Sequence, residues 1–118
     1  MPVWPNATLS SKPLAVSISA DQNDYAPGTA MYIDLTTDGT DRHVTGLVAG
    51  VDGQTVYIRH VAGAGNLILD HESASSAAAN RFDIEAGANS TVPIRGSVML
   101  TYSTVISRWR AFPSKSCT

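Results

Sequence analysis

The chain has 118 residues, 43% of them hydrophobic and 15% charged, with a formal net charge of −2. That length supports one domain, with a core that buries about two-thirds of the unfolded surface. The weak, near-balanced charge excludes an electrostatic footprint for nucleic acid or an anionic membrane, and no apolar run reaches the length of a bilayer span.

Residues 1–13, with Pro2, Pro5 and Pro13 in a Ser/Thr/Asn mixture, show no periodicity and read as an extended arm. Trp4, beside Pro5, is the anomaly there, because an unattached tail has no use for an indole. It either packs back on its own domain or anchors the arm in a neighbour, aromatic residues being favoured interface anchors.

From Leu14 the hydrophobic period is two, the pattern of half-buried strands. Leu14, Val16 and Ile18 alternate with Ala15, Ser17 and Ser19; Met31, Ile33 and Leu35 with Tyr32, Asp34 and Thr36. Val56 and Ile58 alternate with Tyr57 and Arg59, and Val98, Leu100 and Tyr102 with Met99, Thr101 and Ser103. Shorter strands are expected at His43–Val48, Asn66–Asp70, Arg81–Ile84, Thr91–Arg95 and Ser107–Phe112.

Turn signals separate these runs, Asp52-Gly53 being the strongest hairpin signal because a type I′ turn needs positive φ at both central residues. Between Asp70 and Arg81 the segment His71–Asn80 lacks an apolar stripe and reads as an exposed loop with at most one helical turn. No internal repeat is evident. The expectation is an all-β, antiparallel β-sandwich of jelly-roll type over residues 14–113, with the arm before it and a short tail, 114–118, after it.

Catalytic chemistry is sparsely written. Asp70, His71, Glu72 and Ser73 are adjacent, but neighbours on an extended chain point to opposite faces, and no Gly-x-Ser-x-Gly elbow exists. His43, His60 and His71, with Asp70 or Glu72, lack the short-spaced pair typical of metal sites. Asp38-Gly39-Thr40-Asp41 is half a calcium loop without the remaining oxygen ligands. Asn6-Ala7-Thr8 and Asn89-Ser90-Thr91 match glycosylation acceptors, relevant only to a secreted eukaryotic chain. Lone Cys117 cannot close an internal disulfide. The start, MPVWPNATLSSKP, lacks the basic-then-apolar layout of a signal peptide, so a soluble protein made in a reducing cytoplasm is expected. No catalytic residue, metal or cofactor is expected.

Several runs carry a resemblance: Gln22-Asn23-Asp24-Tyr25-Ala26-Pro27, Val44-Thr45-Gly46-Leu47, Gly50-Val51-Asp52-Gly53-Gln54 and Val56-Tyr57-Ile58. Leu67–Phe82, with its His71-Glu72-Ser73-Ala74-Ser75 and Asn80-Arg81-Phe82, follows, then Val98–Tyr102 and the closing Ser107-Arg108-Trp109-Arg110. Together, over about residues 17–112, they resemble a small β module of structural proteins of tailed bacteriophages, found in fibres and other virion surface proteins. The resemblance implies a virion structural role, assembled in the host cytoplasm, and brings no catalytic residues.

On this reading Phe82 and Trp109 are buried, Arg108 and Arg110 face outward, and Arg81 pairs with an acid such as Glu72. The chain has no shaft or coiled coil, as a complete fibre would. A capsid decoration protein that binds the major capsid protein through its arm and module is the first expectation. A fibre knob or adaptor binding a host surface glycan is the second; it calls for clustered exposed aromatics, whereas Tyr25, Tyr32 and Tyr57 are scattered along the chain. A small glycan-acting hydrolase is the minor alternative. Uncharged edge strands such as Leu14–Ser19 and Ser97–Ser103 invite pairing with identical neighbours, here expected as a homotrimer.

Overall fold

The computed structural model describes residues 13–118. Trp4 and Pro5, and with them the expected arm, lie outside the described residues. The chain is all-β: β1 (Leu14–Ser17), β2 (Tyr32–Thr36), β3 (Arg42–Val44), β4 (Thr55–Ala62), β5 (Leu67–Leu69), β6 (Phe82–Ile84), β7 (Ser90–Val92), β8 (Ser97–Ser103) and β9 (Arg108–Pro113). One 3₁₀ turn, Ala78–Asn80, interrupts the His71–Asn80 loop, as expected from its composition.

Each strand overlaps an expected run, although β3 ends at Val44 and not Val48, and β7 at Val92 and not Arg95. The arrangement of the strands does not follow the antiparallel jelly roll. Six strands form one sheet in the order β1-β2-β4-β8-β9-β6, and β3-β5-β7 form a second. β1 with β2, β2 with β4, β3 with β5 and β6 with β9 are parallel; only β4 with β8, β8 with β9 and β5 with β7 are antiparallel.

The cause is the connections. From β2 the chain crosses to the small sheet as β3, returns as β4 and crosses again as β5, so successive visits to each sheet run in the same direction. Parallel bridges from Gln22 to Val44 and from Tyr25 to Leu47 extend this winding to the coil that starts with β1. The first half of the described chain is thus wound like a short solenoid, with a core between its two sides.

Asp52-Gly53 is correspondingly not a hairpin. Only Gly53 of the two has positive φ, at 83°, and Gln54 N donates to Val51 O at 3.0 Å, which makes the turn a corner between sheets. The corner is held against the β8–β9 hairpin, because Asp52 Oδ1 accepts from Thr104 N and Gly53 N donates to Tyr102 O.

Alternation sends Ile33, Leu35, Val56, Ile58, Val98, Leu100, Phe82, Ile84 and Trp109 inward to meet Val44, Leu67, Leu69 and Val92 of the small sheet, all buried. Trp109 lies edge-on to Tyr102 at 5.2 Å, and its Nε1 donates to Leu47 O, tying the large sheet to the small side. Arg108 and Arg110 point outward as expected. Arg81 departs from expectation: its Nε donates to Ser76 O, and Glu72 pairs instead with Arg108 at 2.7 Å. Ser97–Ser103, read as an edge, is the interior strand β8 between β4 and β9. Residues 114–118 dock on the small sheet, where Thr118 and Thr91 exchange backbone hydrogen bonds.

Candidate interaction face

The titratable groups singled out in the sequence are dispersed by the fold. His60 is buried in the core; its Nδ1 lies 2.9 Å from Val92 O and its Nε2 3.0 Å from Thr37 Oγ1, whose hydroxyl also donates to Gly65 O. His43 faces outward on β3, with Nδ1 2.6 Å from Asp70 Oδ1; Asn89 Nδ2 lies 3.3 Å from the same oxygen. His71 Nδ1 accepts from Ile84 N, so that ring caps the edge of β6.

Among the described residues no group of three His, Cys, Asp or Glu side chains converges on a metal-sized point. The His43–Asp70 pair has the form of a base with its orienting acid. Around the pair, Asn89 Nδ2 donates to Asp70 and the His43 N–H donates to Asp21 Oδ1, and no Ser or Cys side chain among the described residues bonds to His43.

Asp38 behaves as a turn residue. It accepts from Arg42 Nε and Nη2 and from Thr40 N, and the Arg42 guanidinium, first of these, holds its carboxyl below the usual carboxylate range.

A buried polar node ties the loop to the coils. Ser76 Oγ accepts from Asp24 N and lies 2.7 Å from Thr45 Oγ1. Asp24, in the left-handed region at φ 50°, accepts from Asn80 Nδ2 and Ala77 N, and these bonds lower its pKa. Gly46 belongs here by close approach: a Cβ on it would lie 2.5 Å from Asn80 O and 2.6 Å from Ser76 Oγ. The Leu67–Phe82 run, prominent in the sequence, is a structural staple in this fold.

The outer face of the large sheet is different in kind. In register across four neighbouring strands, Tyr32 pairs with Tyr57, Tyr57 with Met99 and Met99 with Phe112. All four point away from the core, and Met99 and Phe112 are 41% and 40% exposed. The two tyrosine rings lie 5.0 Å apart, tilted by 33°, and Tyr57 Oη donates to Ser97 Oγ. Met31, one residue before β2, is 58% exposed. Polar rows flank this belt: Asp34, Arg59 and Ser97 on one side, and Thr55, Thr101, Arg110 and Asp83 on the other.

Comparisons with protein-family models, with curated proteins and with solved structures find no match.

The belt corrects one expectation. Tyr32 and Tyr57, scattered in sequence, are neighbours in space because β2 and β4 pair in parallel. The missed signal is a short repeat: Tyr32-Ile33-Asp34 and Tyr57-Ile58-Arg59 stand opposite each other, residue for residue. Phe112 and Met99 are its antiparallel continuation. Tyr25 is not part of it and packs partly buried against the core.

Proposed function

We propose that the chain is a structural protein of a tailed-bacteriophage particle, a decoration protein that sits on the head shell and binds the major capsid protein. The Tyr32–Tyr57–Met99–Phe112 belt supports the interface part of this reading. Aromatic and Met side chains on a rigid β face, uncharged at the centre and polar at the rim, have the composition of a protein interface. A sheet face of this kind supplies shape and desolvation, the contributions that a cementing contact needs. The virion assignment rests on the sequence resemblance, and homotrimer formation belongs to the same reading.

The test compares occupancy of purified particles by the wild-type chain and by a Met99→Lys/Phe112→Lys double variant that keeps its β-sheet circular dichroism. Loss of the variant from particles supports the reading. Equal occupancy removes the belt from it.

The Tyr32–Tyr57 pair favours a second reading, a fibre knob or adaptor binding a host surface glycan. Aromatic faces beside Asp34, Arg59 and Ser97 offer stacking together with hydrogen bonds, the combination a sugar ring uses. Retention of the wild-type chain, and not of Tyr32→Ala/Tyr57→Ala, on host surface polysaccharide would select it.

A further inference from the structure

Among the described residues, the fold covers three of its four sheet edges with its own chain. The outer edge of β3 is met by Gln22, whose N–H donates to His43 O and whose C=O accepts from Thr45 N. The outer edge of β7 is met by Thr118, and that of β6 by residues 71 and 72: Glu72 N donates to Phe82 O, and Ile84 N to His71 Nδ1.

β1 is the exception. Ile18 N donates to Thr36 O, so by alternation Leu14 and Val16 also face β2, while the N–H and C=O groups of Ala15 and Ser17 point to the open side. No described residue pairs with that side. The strand, Leu-Ala-Val-Ser, carries no charge to discourage pairing, and Leu14 is 44% exposed. Beside it Val16 and Tyr25 pack on the core yet stay partly exposed, over a hollow shared with Ile18, Leu35 and Leu47. A solenoid end of this kind needs a cap.

We propose that the free edge of β1 receives the N-terminal segment, residues 1–12, of a second copy of this chain, added as one more strand. The segment is placed for it: it ends at Pro13, one residue before β1, and carries Val3, Trp4 and Leu9 with Lys12 as its one charged side chain. Twelve residues reach at most about 40 Å when extended, roughly three times the length of a four-residue strand.

Folding back on its own β1 is disfavoured by the sequence at the junction. Proline disfavours helical conformations at the residue before it, and the sequence Ser10-Ser11-Lys12-Pro13 offers no Gly, Asn or Asp for a tight reversal. Exchange between copies closes the edges in a finite oligomer. This stands apart from the virion reading: a chain that exchanges segments in solution and never enters a particle sustains the one and sinks the other.

The test uses the full chain. A nitroxide is attached at Ser10→Cys in a Cys117→Ser background, and the labelled, isotopically unenriched protein is mixed with ¹⁵N-labelled wild type. Broadening of the Ala15–Ile18 amides in the ¹⁵N copies is expected. Broadening only when label and ¹⁵N share one molecule, or none in either sample, overturns the proposal.

Light scattering adds a second measurement: the wild type is expected as an oligomer, and Ala15→Pro, which removes an open-side N–H without touching the β2 ladder, as a monomer with unchanged circular dichroism. A monomeric wild type, or an Ala15→Pro variant of unchanged mass, contradicts it. Should Ala15→Pro unfold, the spin-label experiment decides alone.

Discussion

The outer faces of the two sheets are made by the same alternation and carry opposite chemistry. On the small sheet His43 and Asn89 both hydrogen-bond to Asp70; on the large sheet Tyr32, Tyr57, Met99 and Phe112 form an apolar belt. Both cover the same core, so core packing does not dictate which outward residues they carry. The polar face satisfies its groups internally. The belt leaves two large apolar side chains about 40% exposed, a state that water penalises and a partner relieves.

The largest effect is expected where the two faces share support. Trp109→Ala removes a fully buried indole and its bond to Leu47 O, and should cost about 3–5 kcal/mol, read as a lower midpoint in urea. Both faces should fail together; if one survives with its hydrogen-exchange protection intact, the shared-core account is wrong.

The Met99→Lys/Phe112→Lys variant should separate the faces, changing stability by about 1 kcal/mol or less while weakening particle binding about tenfold or more. His43→Ala on the polar face should leave binding unchanged and cost about 1 kcal/mol or less, since the His43–Asp70 pair is partly exposed. A His43→Ala variant that loses binding would reverse the assignment of the faces.

The smallest effect is one of pH. The Asp24 and Asp38 carboxyls are held below the usual carboxylate range, chiefly by the hydrogen bonds from Asn80 and Arg42 respectively. Their contribution to stability is therefore fully present above about pH 4 and fades as pH falls through the lowered folded-state values. Asp24→Asn should flatten the acid limb of a stability–pH curve measured between pH 5 and 2. An unchanged limb would remove Asp24 from that role.

Strand positions and inward residues were legible in the sequence because the period-two pattern records burial directly. Phe82 and Trp109 are examples. Partnership was not legible, since alternation says which face a residue takes and nothing about which strand lies beside it. Asp52-Gly53 illustrates the gap: Gly53 marks a turn, yet whether that turn joins neighbours or crosses between sheets depends on the winding of the whole chain.

The solenoid coils were hidden for a related reason. The step from Leu14 to Ile33 is shorter than that from Ile33 to Ile58, so no fixed period appears. The belt was hidden with them, its four members coming from four strands. Arg81 bonds to the Ser76 carbonyl and not to Glu72, because a backbone acceptor leaves no mark in the side-chain pattern and Glu72 is engaged by Arg108 across the fold.

The proposal that this chain is a structural part of a virion is tested most directly by its copy number in purified phage particles, measured by quantitative mass spectrometry against the major capsid protein. Hundreds of copies per particle are predicted for a head decoration protein, and a few to dozens would move it to a tail or fibre. Complete absence from infectious particles would contradict the account.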